Sequence, residues 1–115
     1  MGLFDKLRSR ADRPADGTST DLAYLRAWVT QHNDVEGFVE PKTTVLGLTV
    51  VLVAADGEWT RRRVGTERDA MRLSDWLGIP VYDVEKVGYP QRMRDFDARR
   101  RIERRRALHD ELTKE

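Results

Sequence analysis

The sequence predicts an α+β domain built on a mixed four-stranded sheet, and three observations carry that prediction. Residues 44–54, Thr-Val-Leu-Gly-Leu-Thr-Val-Val-Leu-Val-Ala, form a β-branched, apolar run on both faces, as a strand covered on both sides requires. Asp56-Gly57 follows at once as a hairpin signal into a second extended segment. Ala70, Leu73 and Leu77 then recur at helical spacing between a capping threonine, Thr66, and a terminating glycine, Gly78, before another apolar strand begins.

Taken in order, the globular part starts near Thr20. Thr20 or Asp21 is placed to cap a helix running to about His32, with Leu22, Leu25 and Val29 on its apolar face and Tyr24 and Trp28 beside it. Asn33-Asp34 ends that helix. Residues 35–41 suit a short strand that stops at Pro41 or lies at an edge, because proline cannot donate to a ladder. The central strand follows. A two-residue turn at Asp56-Gly57 pairs Val53 with Thr60 and Val51 with Arg62, and places Trp59, Arg61 and Arg63 on one face. Thr66 and Asp69 form an imperfect capping box for the next helix, and Gly78 suits its left-handed C-terminus. Ile79 to Val87 reads as the fourth strand, returning parallel to a neighbour through the helical crossover. Gly88-Tyr89-Pro90 breaks it, and a long Arg-rich helix runs from Pro90 or Gln91 to about Thr113.

The order is helix, three-stranded antiparallel meander, helix, fourth strand, long C-terminal helix. Three segments result: a mobile arm over 1–19 with a short amphipathic stretch (Leu3, Phe4, Leu7), one α+β domain over 20–90, and the Arg-rich helix over 91–115. The core expected from the stripes is Leu25, Val29, Val50, Leu52, Leu73, Leu77 and Val81.

Composition narrows the chemistry. The 115 residues suffice for one domain, and 36% are charged, yet the net charge is only +1. There is no cysteine, which removes disulfide frameworks, cysteine–zinc sites and thiol catalysis and fits a cytoplasmic location. Two histidines, His32 and His109, give little material for a metal site. No cofactor is implied: no Gly-x-Gly-x-x-Gly follows a strand. The apolar run at 45–55 is too short to cross a bilayer, and two helical turns at the N-terminus bury too little for a stable membrane anchor.

Charge is segregated along the chain. Residues 20–60 carry two basic and six acidic side chains, and residues 91–115 carry nine basic and six acidic. Seventeen of the 21 basic residues are arginine, which is what a GC-rich genome produces and also what bidentate contact with phosphate or carboxylate selects.

The runs Thr49–Thr60, Gly78–Val84 and Val87–Asp95, with Asp56-Gly57-Glu58-Trp59 and Gly88-Tyr89-Pro90 at their centres, resemble a family of small actinobacterial proteins of no established activity. The resemblance covers roughly residues 35–96 and transfers no functional residue.

The residues are open to three function classes. The first is an interaction module docking an acidic protein partner, or pairing with itself, through the C-terminal helix, whose sparse stripe of Ala98, Ile102, Leu108 and Leu112 cannot sustain a coiled coil. The second is an RNA- or ribosome-associated binder. Its surface would combine Trp59, Arg61 and Arg63 on one strand face with Arg100, Arg104 and Arg105 on the helix, since arginines and an aromatic ring together hold phosphates and stack bases. Against it, the pairs Asp95–Arg99, Asp97–Arg101, Glu103–Arg106 and Arg106–Asp110 sit at spacings where helical side chains neutralise one another. The third and most remote is a metal-dependent nuclease, resting on Glu40-Pro41-Lys42 as a Glu-x-Lys element. That element sits on the wrong strand and has no acidic partner on the central one; otherwise Glu40 and Lys42 are solvent-facing at a sheet edge. The sequence favours the interaction module, with no catalytic or metal-binding residue assigned.

Overall fold

Val50, Val51, Leu52 and Val53 are all fully shielded from solvent, so the β-branched run does form the buried centre of a sheet. The structure is a computed structural model and describes residues 20–114. The expectations for 1–19 lie outside the described residues. The elements are α1 (Leu22–Gln31), β1 (Glu36–Thr43), β2 (Gly47–Val53), β3 (Trp59–Arg63), α2 (Glu67–Leu77), β4 (Val81–Asp83), α3 (Val84–Val87) and α4 (Gln91–Thr113). The four strands make one mixed sheet in the order β3-β2-β1-β4. β2 is antiparallel to both β1 and β3, and β4 is parallel to β1. The predicted fold class is the observed one.

Each face of the sheet has its own apolar cluster. On one face Leu48, Val50 and Leu52 meet Leu25 and Trp28 of α1 and Leu73 and Leu77 of α2, with Val29 and Val81 half-buried at the margin. Every residue of the expected core therefore belongs to this layer. On the other face Phe38, Val51 and Val53 meet Val84 of α3 and Met93 of α4, with Trp59 packed against them. A fully buried Leu or Val contributes about 1.5–3 kcal/mol relative to exposure, which makes the doubly covered β2 the keystone of both layers.

α2 has the ends the sequence predicted. The Thr66 Oγ1 accepts from the Asp69 amide at 3.1 Å, and the Asp69 carboxylate accepts from the Thr66 amide at 3.0 Å. At the other end Gly78 adopts the left-handed conformation. α1 starts as expected at Leu22, but Asp21 makes no side-chain cap; Thr20 instead accepts from the Gly65 amide at 3.0 Å.

Four local expectations are corrected. Thr44, Val45 and Leu46 form a turn rather than the start of β2, with the Leu46 amide held on Thr43 Oγ1 at 3.0 Å and Gly47 at a positive φ of 69°. β1 does not stop at Pro41: it runs on to Thr43 past a register shift between Glu40 and Thr43, beyond the reach of β4, where a missing donor costs no ladder bond. The fourth strand is only three residues long, because the Asp83 side chain accepts from the Glu85 amide at 2.9 Å and starts α3.

The fourth correction matters most for the site. The β2–β3 connection is a three-residue loop, Ala55-Asp56-Gly57, closed by the Gly57 amide on the Ala54 carbonyl and the Ala54 amide on the Glu58 carbonyl. Only Gly57 of the three has positive φ, at 93°, so the turn is not the type I′ form that demands positive φ at both centres. The register slips by one: Val53 faces Trp59, Val51 faces Arg61 and Thr49 faces Arg63. A one-residue slip exchanges the faces. Trp59, Arg61 and Arg63 still share a face, but it is the Phe38–Val51–Val53 face beneath α4.

α4 is two helices in one as regards burial. Met93 is buried and Phe96, Asp97 and Ala98 are half-buried, whereas every residue from Arg99 to Lys114 is exposed. Fifteen residues from Arg99 to Thr113 at about 1.5 Å each project the helix roughly 22 Å from its seat. Truncation after Glu103 is therefore expected to shift the unfolding free energy by less than about 0.5 kcal/mol, the range of surface changes, as read by urea denaturation.

Candidate functional site

The docked half of α4 is fixed on the sheet by side chains that the hairpin register brings beneath it. Trp59 Nε1 donates to Asp97 Oδ1 at 2.9 Å. Arg92 Nε donates to the Ala54 carbonyl at 2.9 Å, and its Nη2 reaches Glu36 Oε1 at 2.6 Å. Arg99 Nη2 donates to the Asp56 carbonyl at 2.7 Å. Gly57 lies buried under the helix: a Cβ there would stand 2.0 Å from the Arg92 carbonyl oxygen. The glycine is needed for close approach as well as for the turn.

On the same face, at the far end of β1, Glu40 collects three donors. Arg61 spans both carboxylate oxygens, with Nε at 2.6 Å and Nη2 at 3.0 Å, Thr49 Oγ1 donates at 2.8 Å, and Tyr89 Oη donates to Oε2. The Glu40 side chain is 11% exposed, so it is not the solvent-facing edge residue that its sequence position suggested. Burial pushes its carboxyl up, but the bonds from Arg61, Tyr89 and Thr49 outweigh that, and it is held below the usual carboxylate value. Conversely, its bond to Glu40 holds the Arg61 guanidinium above its ordinary value, and burial together with Glu40 raises the Tyr89 hydroxyl. A magnesium ion at Glu40 would have to displace these donors. Among the described residues no group of three or more His, Asp or Glu side chains is placed to hold a metal ion.

The sequence-derived surface is thus divided between two places. Trp59 is half-buried and bonded to Asp97, with the Arg61 guanidinium 5.4 Å from its ring. Arg61 is tied to Glu40, and Arg63 is exposed beside it on the sheet. Arg100, Arg104 and Arg105 all lie on the exposed half of α4, Arg100 with its guanidinium 6.0 Å from the Phe96 ring.

Neutralisation along α4 follows a different pattern from the expected one. Asp95 accepts from Gln91 and Asp97 from Trp59, so both acids are drawn towards the root of the helix. Among the described residues Arg101, Arg104, Arg105 and Arg106 have no hydrogen-bond or ion-pair partner. Residues 99–106 hold six arginines and one glutamate, a net +5 over about two turns. At about 100° per residue these arginines fall on every side of the helix.

A second feature escaped the sequence reading. A cleft of about 510 Å³ opens between α2, β4 and the start of α3, beyond the C-terminal ends of the parallel pair β1 and β4. Val39, Leu48, Ala70 and Val81 supply its apolar floor, and the exposed side chains of Glu67, Asp83 and Glu85 stand around it. No local pattern marks it, because its walls come from five separate elements.

His32 closes α1 through packing: its ring stacks on Trp28 at 3.7 Å and its Nε2 lies 3.3 Å from Glu58. Among the described residues no helix is long and apolar enough to cross a membrane. Comparison with protein-family models gives no match, and comparisons with curated proteins and with solved structures give none either.

Proposed function

We propose that this domain is a non-enzymatic interaction module that holds out the exposed half of α4 as an arm for an acidic protein surface. The observation that carries the reading is the set Arg101, Arg104, Arg105 and Arg106, which have no hydrogen-bond or ion-pair partner among the described residues and stand on a helix whose root is bonded to the sheet. Helix and arm are pre-ordered, so docking forfeits little conformational entropy. Guanidinium groups suit carboxylates, which they engage through two parallel hydrogen bonds. Ile102, Leu108 and Leu112 add exposed apolar contact along the same arm, at 45%, 59% and 76% exposure.

RNA is the second reading, favoured by the arginines lying on all sides of the arm. Protein is preferred because Trp59, the ring that the RNA surface would use for stacking, is bonded to Asp97, and Arg61 is tied to Glu40. The test is fluorescence anisotropy of the full chain against labelled poly-glutamate and labelled single-stranded RNA. Tighter binding to poly-glutamate, lost in the variant Arg100→Glu/Arg104→Glu/Arg105→Glu, is the expected result. Tighter binding to RNA, with log K falling at about −0.7 per phosphate contacted against log salt, would transfer the function to nucleic acid. Binding that survives the triple reversal would remove the arm from either role.

A further inference from the structure

We infer that the cleft between α2, β4 and α3 is the seat for the α4 arm of a second copy of this chain. The inference rests on the reading of the exposed half of α4 as a docking arm, and it identifies the surface that the arm fits. Arg101, Arg105, Leu108 and Leu112 recur at i, i+4, i+7 and i+11, so they form one face of the arm, arginines towards its root and leucines towards its tip. The cleft is complementary in both respects. Its floor of Val39, Leu48, Ala70 and Val81 offers apolar contact, and Met71, which also lines it, is 84% exposed. Around that floor stand Glu67, Asp83 and Glu85, and among the described residues that line it Lys42 is the one cation. Glu40 also borders the cleft, but its charge is already matched by Arg61.

The arm cannot serve the cleft of its own molecule. α4 is one unbroken helix from Gln91 to Thr113, that span contains neither Gly nor Pro, and its root packs on the opposite face of the sheet. No residue of α4 lines the cleft. Each copy therefore carries one arm and one seat that do not meet within the chain. A twofold pair satisfies both arms and both seats at once, and closes instead of growing into a chain of copies.

The test is the oligomeric state of the full chain, followed by sedimentation equilibrium at low and high salt. The wild-type chain is expected to dimerise at low salt and to dissociate as salt rises, since exposed charge pairs are screened. Arg101→Glu/Arg105→Glu in the arm and Glu67→Arg/Glu85→Arg in the seat are each expected to weaken self-association by at least roughly a hundredfold, because like charges then face one another. An equimolar mixture of the two variants is expected to dimerise again: the acidic arm of one fits the basic seat of the other, and the unaltered arm and seat also match. Met71→Lys, at an exposed position, supplies a further seat variant whose thermal unfolding should match that of the wild type.

A wild-type chain that stays monomeric at low salt overturns the inference, and so does a dimer that the seat variants leave intact or a mixture that fails to recover. The arm reading is judged separately. Poly-glutamate binding by a monomeric wild-type chain, abolished by the arm reversal, would retain the arm and discard the seat; loss of both would discard both.

Discussion

Replacing Gly57 by alanine is expected to cost about 3 kcal/mol of stability. Two penalties combine at this position. A φ of 93° lies in the region that L side chains rarely adopt, and forcing an alanine there strains the β2–β3 loop. The new methyl would also stand 2.0 Å from the Arg92 carbonyl oxygen and 3.0 Å from Phe96 Cβ, so α4 has to lift. Lifting it disturbs the Trp59–Asp97 and Arg92–Glu36 bonds together. Urea unfolding of Gly57→Ala should show the lower midpoint, and the Trp59 emission of the folded state should shift as its ring gains solvent. Unchanged stability would mean that α4 does not press on the hairpin as the structure has it.

Glu40→Gln is the second large effect, with an expected loss of about 1–3 kcal/mol at neutral pH. The amide keeps one acceptor oxygen, but its NH2 meets the donors of Arg61, Thr49 and Tyr89 that the carboxylate now satisfies. The same substitution gives a pH signature. The folded Glu40 carboxyl lies below its usual value, so the unfolded chain binds the extra proton first as the solution is acidified. Its contribution is complete above the ordinary carboxylate range and is lost as pH falls through the folded value. Stability measured in urea at a series of pH values should therefore fall more steeply on acidification for the wild type than for Glu40→Gln, and the two should converge in acid. Parallel curves would show that Glu40 is not the acceptor of those bonds.

What could be read in advance, and what could not, divides along the range of the interactions. β2 was legible because its β-branched residues need no partner to declare an extended buried strand. Both ends of α2 were legible because Thr66, Asp69 and Gly78 act within a few residues of themselves. The hairpin register was not, although Asp56-Gly57 announced a turn. Its form is set with the help of α4, whose Arg92 carbonyl packs on Gly57 from across the sheet. Thr44 and Val45 have strand-like side chains but occupy a turn, where Val45 is 81% exposed; the Thr43 hydroxyl and the positive φ of Gly47 override their propensity. β4 ended early because Asp83 serves as a cap, a role its single letter shares with many others. At the candidate site, the exposure of Arg100, Arg104 and Arg105 followed from the thin apolar stripe of α4. The Glu40–Tyr89 contact did not, since its partners lie 49 residues apart and no periodicity joins them. The acidic cleft was hidden for the same reason.

The continuity of α4 has a consequence for whatever binds its tip. A recognition segment joined to its domain by a flexible leash samples a wide volume, and its partner hangs at no set angle. Here the segment and its mounting are one rod, with no glycine or proline in it and with Trp59, Arg92 and Arg99 bolting its lower end to the sheet. A partner gripping the tip is held at a fixed distance and attitude to the domain, so the geometry of the assembly is written into a single helix axis.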